Sequence, residues 1–93
     1  MELLWDNIKN RWLKENRSIS FEAIAVAIES NKILDILKHP NNDKYPDQLL
    51  ILVNINDYVY VVPAVIQSDG YFLKTIFPSR KYTDEYLLNK KDG

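Results

Sequence analysis

Apolar and polar positions recur along this chain with two different periods, and the change of period divides it. From Glu2 to about Asn16, Leu4, Ile8 and Trp12 return at every fourth position with Leu13 beside them, which is one face of an amphipathic helix. Arg17 and Ser18 interrupt it. Ser20 is placed to cap a second helix, from Phe21 to about Ser30. Its hydroxyl can accept from the free amides of the first turn, and Glu22 sits where the helix dipole favours an anion. Ile19 and Ile24 flank that cap at the spacing of a hydrophobic staple, and Ala23, Ala27 and Ile28 continue the apolar stripe.

Beyond Asn31 and Lys32 the period shortens. Ile33 to Leu37 reads as a short strand, followed by the turn-forming loop His39 to Tyr45 and Pro46, with Pro40 and Pro46 near its two ends. Leu49–Ile55 and Tyr58–Ile66 are two strand-like runs joined by Asn56-Asp57, a pair that tolerates positive φ and so predicts a tight hairpin. Pro63 lies within the second run and has no N–H for the ladder, which predicts an edge or a bulge there. Ser68-Asp69-Gly70 is a second turn. It leads into a strand Tyr71–Phe77, with Tyr71, Leu73, Thr75 and Phe77 on one face and Phe72, Lys74 and Ile76 on the other. A short helix is expected from about Thr83, with Asp84 and Glu85 in its first turn and Lys90 and Lys91 in its last.

This order predicts an α+β fold of two layers in a single domain, residues 1–93. Two N-terminal helices pack on a four-stranded antiparallel meander sheet, followed by a short C-terminal helix. Trp5, Trp12, Tyr58, Tyr60 and Phe72 fall at helix or strand periodicity and are expected in the core or on the sheet surface.

Composition narrows the chemistry. The chain has no cysteine, which removes disulfides and thiol chemistry and favours a reducing, cytoplasmic setting. No stretch is long and apolar enough for a membrane helix, and Met1 to Asp6 lacks the basic start and apolar core of a signal peptide. With His39 as the only histidine, neither a zinc site nor a Ser-His-Asp triad is marked, so no metal and no cofactor is expected. Two glycines are too few for a Gly-rich phosphate loop. Net charge is −1, yet the cations collect at the ends: Lys9, Arg11, Lys14 and Arg17 early, Lys74, Arg80, Lys81, Lys90 and Lys91 late. If the ends meet, a neutral protein acquires a basic face.

Lys74-Thr75-Ile76-Phe77-Pro78-Ser79-Arg80-Lys81-Tyr82 sets one cation on a strand and two just beyond its end. Arg80 is suited to gripping two phosphate oxygens through its planar fork, and Lys81 is not. The same pair also fits an ordinary solvated surface.

Two stretches of the chain resemble the BrnT-like toxins. Asp6 through Phe21, with Lys9, Asn10, Leu13 and Lys14 leading into Ile19-Ser20-Phe21-Glu22, is similar to their N-terminal part. Pro78-Ser79-Arg80-Lys81 followed by Glu85-Tyr86 is similar to their closing Ser-Ala-Arg-Lys stretch and Tyr-ending helix. The chain departs from that family where Lys14 to Ser18 replaces a Lys-His-Gly, and where Asp47-Gln48 replaces a Glu-Arg pair. The resemblance implies a RelE-like fold and the toxin half of a bacterial type II toxin-antitoxin system. It implies a metal-independent endoribonuclease that acts on mRNA and is silenced by a cognate antitoxin.

In such an enzyme the 2′-hydroxyl attacks the neighbouring phosphate. The protein positions the phosphate, stabilises the added charge and moves two protons. Arg80 then stands for charge stabilisation, by match to the closing motif, with Lys14 or Arg17 as a second cation. His39 is a candidate for proton transfer, since imidazole ordinarily titrates near neutrality. Arg17, Lys44, Tyr45, Lys74, Lys81 and Tyr86 are candidate RNA contacts by charge or stacking. The alternative is a non-catalytic protein-interaction domain on the same scaffold.

Overall fold

The computed structural model describes residues 2–88 and is α+β. Its elements are β1 (Glu2–Trp5), α1 (Asn7–Arg17), α2 (Phe21–Glu29), β2 (Ile33–Lys38), β3 (Gln48–Ile55), β4 (Tyr58–Gln67), β5 (Gly70–Leu73), β6 (Phe77–Pro78) and α3 (Arg80–Thr83). A π-helical turn, Asp84–Leu88, follows α3 directly. The expected last turn with Lys90 and Lys91 lies outside the described residues.

The first helix is shorter than its periodicity suggests. Glu2–Trp5 is a strand that pairs in parallel with β5, Glu2 opposite Gly70 and Trp5 opposite Leu73, so the sheet is mixed and not an antiparallel meander. Asp6 ends the strand and caps α1, its carboxylate accepting from the Ile8 amide at 3.1 Å. The stripe Leu4, Ile8, Trp12 is therefore not the buried face. Ile8 is 74% exposed, while Leu13 is fully buried and Asn10 is 4% exposed. Asn10 explains the rotation. Its Oδ1 accepts from the Phe21 amide at 2.8 Å and its Nδ2 donates to Glu22 at 2.8 Å, clasping α1 to the first turn of α2. Satisfying a buried amide outweighs burying one more aliphatic chain.

The second helix matches its sequence. The Ser20 hydroxyl accepts from Ala23 N at 3.1 Å, and the staple residues Ile19 and Ile24 both join the core. The β3–β4 hairpin turns on Asn56 (φ 53°) and Asp57 (φ 63°), both left-handed, which matches the twist of the flanking strands.

The sheet order is β1-β5-β4-β3-β2, with β6 also on β4. The expected single strand Tyr71–Phe77 is two, broken at Lys74–Ile76, and Pro63 accounts for the break. In a strand a residue's N and C=O point to the same side, and the Pro63 carbonyl accepts from the Lys74 amide at 2.8 Å. Its donorless nitrogen thus faces the break, where no ladder bond can form. The break also shifts the alternation, so Leu73 and Ile76, expected on opposite faces, share one core cluster. Gly70 is required by the closeness of β1: a Cβ there would lie 2.1 Å from the Glu2 carbonyl oxygen.

Helical structure covers both faces, which replaces the two-layer expectation with three. On one face Leu13, Phe21 and Ile24 pack against Ile51, Val53, Val62, Ala64 and Leu73, with Trp5 stacked on Phe21 at 5.5 Å. On the other, Leu52, Val59 and Val61 are covered by Tyr82, Tyr86 and Leu87 of the C-terminal segment. α3 starts at Arg80, earlier than expected, because Ser79 caps it by accepting from Tyr82 N at 3.0 Å. No helix among the described residues is long and apolar enough to cross a membrane.

Candidate functional site

The candidate residues lie in three places. The first is the corner of the sheet where β6 ends. Arg80 opens α3 there, and the pairing of β6 with β4, continued by the Ser79 amide donating to the Val59 carbonyl at 2.9 Å, brings it to the start of β4, where Tyr58 lies. Its polar neighbour Tyr58, and then the Asp84 carboxylate, push the guanidinium pKa up from its ordinary value. Tyr58 packs edge-on against Tyr60 at 6.2 Å. Lys81 sits 5.4 Å from the Tyr82 ring centroid, and Tyr82 packs edge-on against Tyr86 at 6.0 Å. The corner is anchored by Thr83, whose hydroxyl accepts from the Val59 amide at 2.8 Å and donates to the Ser79 carbonyl at 2.7 Å. That hydroxyl continues the edge of β4 where strand pairing has stopped.

Tyr86 is committed to the fold. Its hydroxyl donates to Asp35 Oδ2 on β2 at 2.6 Å, and this bond, with burial and the Asp35 charge, pushes the phenol up to about 12. Asp35 also accepts from the Ile36 amide at 2.8 Å, so one carboxylate ties down the C-terminal segment and blunts the exposed edge strand.

The second place is α1 and the segment beside it. Lys14 reaches Glu22 on α2 at 3.8 Å, and both are exposed. The Glu22 carboxyl is held below its ordinary range, chiefly by the Asn10 hydrogen bond and in smaller part by Lys14. Arg17 Nη1 donates to the Ile76 carbonyl at 2.7 Å, joining the end of α1 to the break between β5 and β6. Lys74, exposed, opens that same break. The structure thus brings Arg17 to the Lys74–Ile76 segment.

The third place is the loop between β2 and β3. His39 Nδ1 accepts from the Asn41 amide at 3.0 Å, its ring packs on Tyr45 at 4.7 Å, and Lys44 lies 5.5 Å from the Tyr45 ring. The His39 amide bonds to Gln48 at the start of β3, whereas Tyr58, beside Arg80, pairs with Ile55 at its end. Seven strand residues, roughly 20 Å, separate the two. His39 and Arg80 do not act on one phosphate in this arrangement.

Two residues set down as packing have more to offer. Trp12 stays 41% exposed on α1, and Tyr58 lies at the start of β4, where the β6 pairing brings Arg80. For Trp12 the signal was present in the sequence, in the cations Lys9, Arg11 and Lys14 on either side of it. For Tyr58 there was none, since its partner is brought up only by the β6 pairing.

In comparisons with known proteins, no family model, no curated protein sequence and no solved structure matches this chain.

Proposed function

We propose that the chain is the toxin component of a bacterial type II toxin-antitoxin pair, a metal-independent endoribonuclease working in the cytoplasm and held inactive by a cognate antitoxin. The reading rests on the Pro78-Ser79-Arg80-Lys81 stretch, and the observation that carries it is the corner where β6 brings exposed Arg80 to the start of β4, beside Tyr58. A permanently charged planar fork beside a phenolic hydroxyl, at the exposed end of a pinned edge, suits the in-line attack of a 2′-oxygen on phosphorus. Arg80 takes the charge that grows on the non-bridging oxygens as the new P–O bond forms and the bond to the 5′-oxygen breaks. In this reading the 2′-hydroxyl proton passes to water, Tyr58 gives its phenol proton to the leaving 5′-oxygen and regains one from water, and Lys81 adds charge nearby. His39, Lys44 and Tyr45, at the far end, serve the RNA strand in this reading and not the reacting phosphate.

The separation of His39, Lys14 and Arg80 over three surfaces favours a second reading, a non-catalytic interaction domain on the same scaffold. Induced expression in bacteria separates the two. The toxin reading predicts growth arrest by the wild type, relieved in Arg80→Ala with both proteins soluble and folded. Unimpaired growth with abundant folded wild type would support the interaction domain.

A further inference from the structure

The outer side of α1 combines charge and an aromatic ring in a way the packing does not require. On a chain of net charge −1, this one helix carries Lys9, Arg11, Lys14 and Arg17 against Glu15 alone. Trp12 is 41% exposed at its centre, while its neighbour Leu13 carries the packing. Lys9 Nζ lies 4.5 Å from the indole centroid and Arg17 Cζ lies 4.9 Å from it. Arg17 is held in place by the Ile76 carbonyl, its Nη1 donating at 2.7 Å, so the fork beside the ring sits on a fixed support. A pre-positioned guanidinium that uses one donor on the fold keeps others for a ligand.

We infer that Trp12, with Lys9 and Arg17, is a stacking platform for single-stranded RNA, one nucleobase resting on the indole or the adjoining guanidinium and the flanking phosphates meeting the two cations. The site rests on the proposed RNA-directed function and adds a second contact point to it, distinct from the Arg80 corner. Charge complementarity selects a polyanion, and a part-exposed indole with a guanidinium against it selects one that presents a flat ring at every unit. An acidic protein segment would satisfy the charges and leave the ring without a planar partner.

The test uses the full chain and a fluorescently labelled single-stranded oligonucleotide that is 2′-O-methylated throughout, so that it cannot be cleaved by 2′-oxygen attack. Binding is followed by anisotropy across a salt series, with a DNA oligonucleotide of the same sequence beside it. Trp12→Ala should weaken binding roughly 5- to 150-fold, and Trp12→Phe should retain most of it. Lys9→Ala should flatten the slope of log affinity against log salt by about 0.7. Circular dichroism confirms that each variant folds. Binding that is absent in the wild type, as for a surface that takes an acidic protein instead, or unaltered in Trp12→Ala, overturns the inference. Trp12-dependent binding by a protein that leaves unmodified RNA intact upholds the platform and ends the ribonuclease reading. Equal Trp12 dependence on DNA upholds the platform as one for either nucleic acid.

Discussion

The two faces of the sheet are covered in different ways. On the α1–α2 side the cover is a true core: Leu13, Phe21, Ile24 and Ile76 are fully buried, and Trp5 stacks on Phe21. On the other side the cover is one turn of α3 and a π-helical turn, with no fully buried side chain of its own among Arg80–Leu88. Directional bonds compensate, from Thr83 to Val59 and Ser79 and from Tyr86 to Asp35. The apolar side presents Trp12 on α1, and the hydrogen-bonded side presents Arg80. In the proposed function Arg80 meets a phosphate in water, and a thin cover fixed by a few polar contacts suits that role because it needs little bulk.

The difference can be broken from either side. Phe21→Ala should be the most damaging change, removing a fully buried ring and the support of Trp5. A loss of about 3–5 kcal/mol is expected in denaturant unfolding, which is much of the total stability of a small domain. Thr83→Val strikes the thin cover. It keeps the volume but strands the Val59 amide, and should cost about 1–3 kcal/mol, with Thr83→Ser retaining most of the wild-type stability. Full retention in Thr83→Val would mean that the cover is held by its apolar contacts after all.

The smallest effect concerns pH. The fold raises the Tyr86 phenol to about 12, so the neutral form is the one it favours. The Asp35–Tyr86 bond therefore contributes fully below the ordinary phenol value, roughly 10, and is lost as pH rises through the folded value. The stability advantage of wild type over Tyr86→Phe should shrink from neutral pH into the strongly alkaline range. An advantage that stays constant with pH would place the Tyr86 contribution in packing.

Much of this design was legible in the sequence where the signal was local. Ser20 with its flanking isoleucines, the Asn56-Asp57 turn and the β2–β4 strands all depend on neighbours a few residues away. β1 was not legible, because Leu4, Ile8 and Trp12 imitate a helical stripe and the strand's partner, Gly70–Leu73, lies far along the chain. The division of β5 from β6 was half legible: Pro63 announced an irregularity but not that it would fall on the neighbouring strand. The candidate residues could be named from the sequence, but their places relative to one another could not. Arg17 and Lys74 are drawn to the same break, whereas His39 and Arg80 mark opposite ends of one strand, a distance that only the β3–β4 register reveals.

The most direct test of the account is cleavage of a defined single-stranded RNA by the purified protein in the presence of a metal chelator, comparing wild type with Arg80→Ala and Trp12→Ala. The account predicts products ending in a cyclic 2′,3′-phosphate, a collapse of kcat in Arg80→Ala, and a rise in KM with kcat largely kept in Trp12→Ala. A folded wild type that leaves the RNA intact, or an Arg80→Ala variant that cleaves it at the wild-type rate, would contradict it.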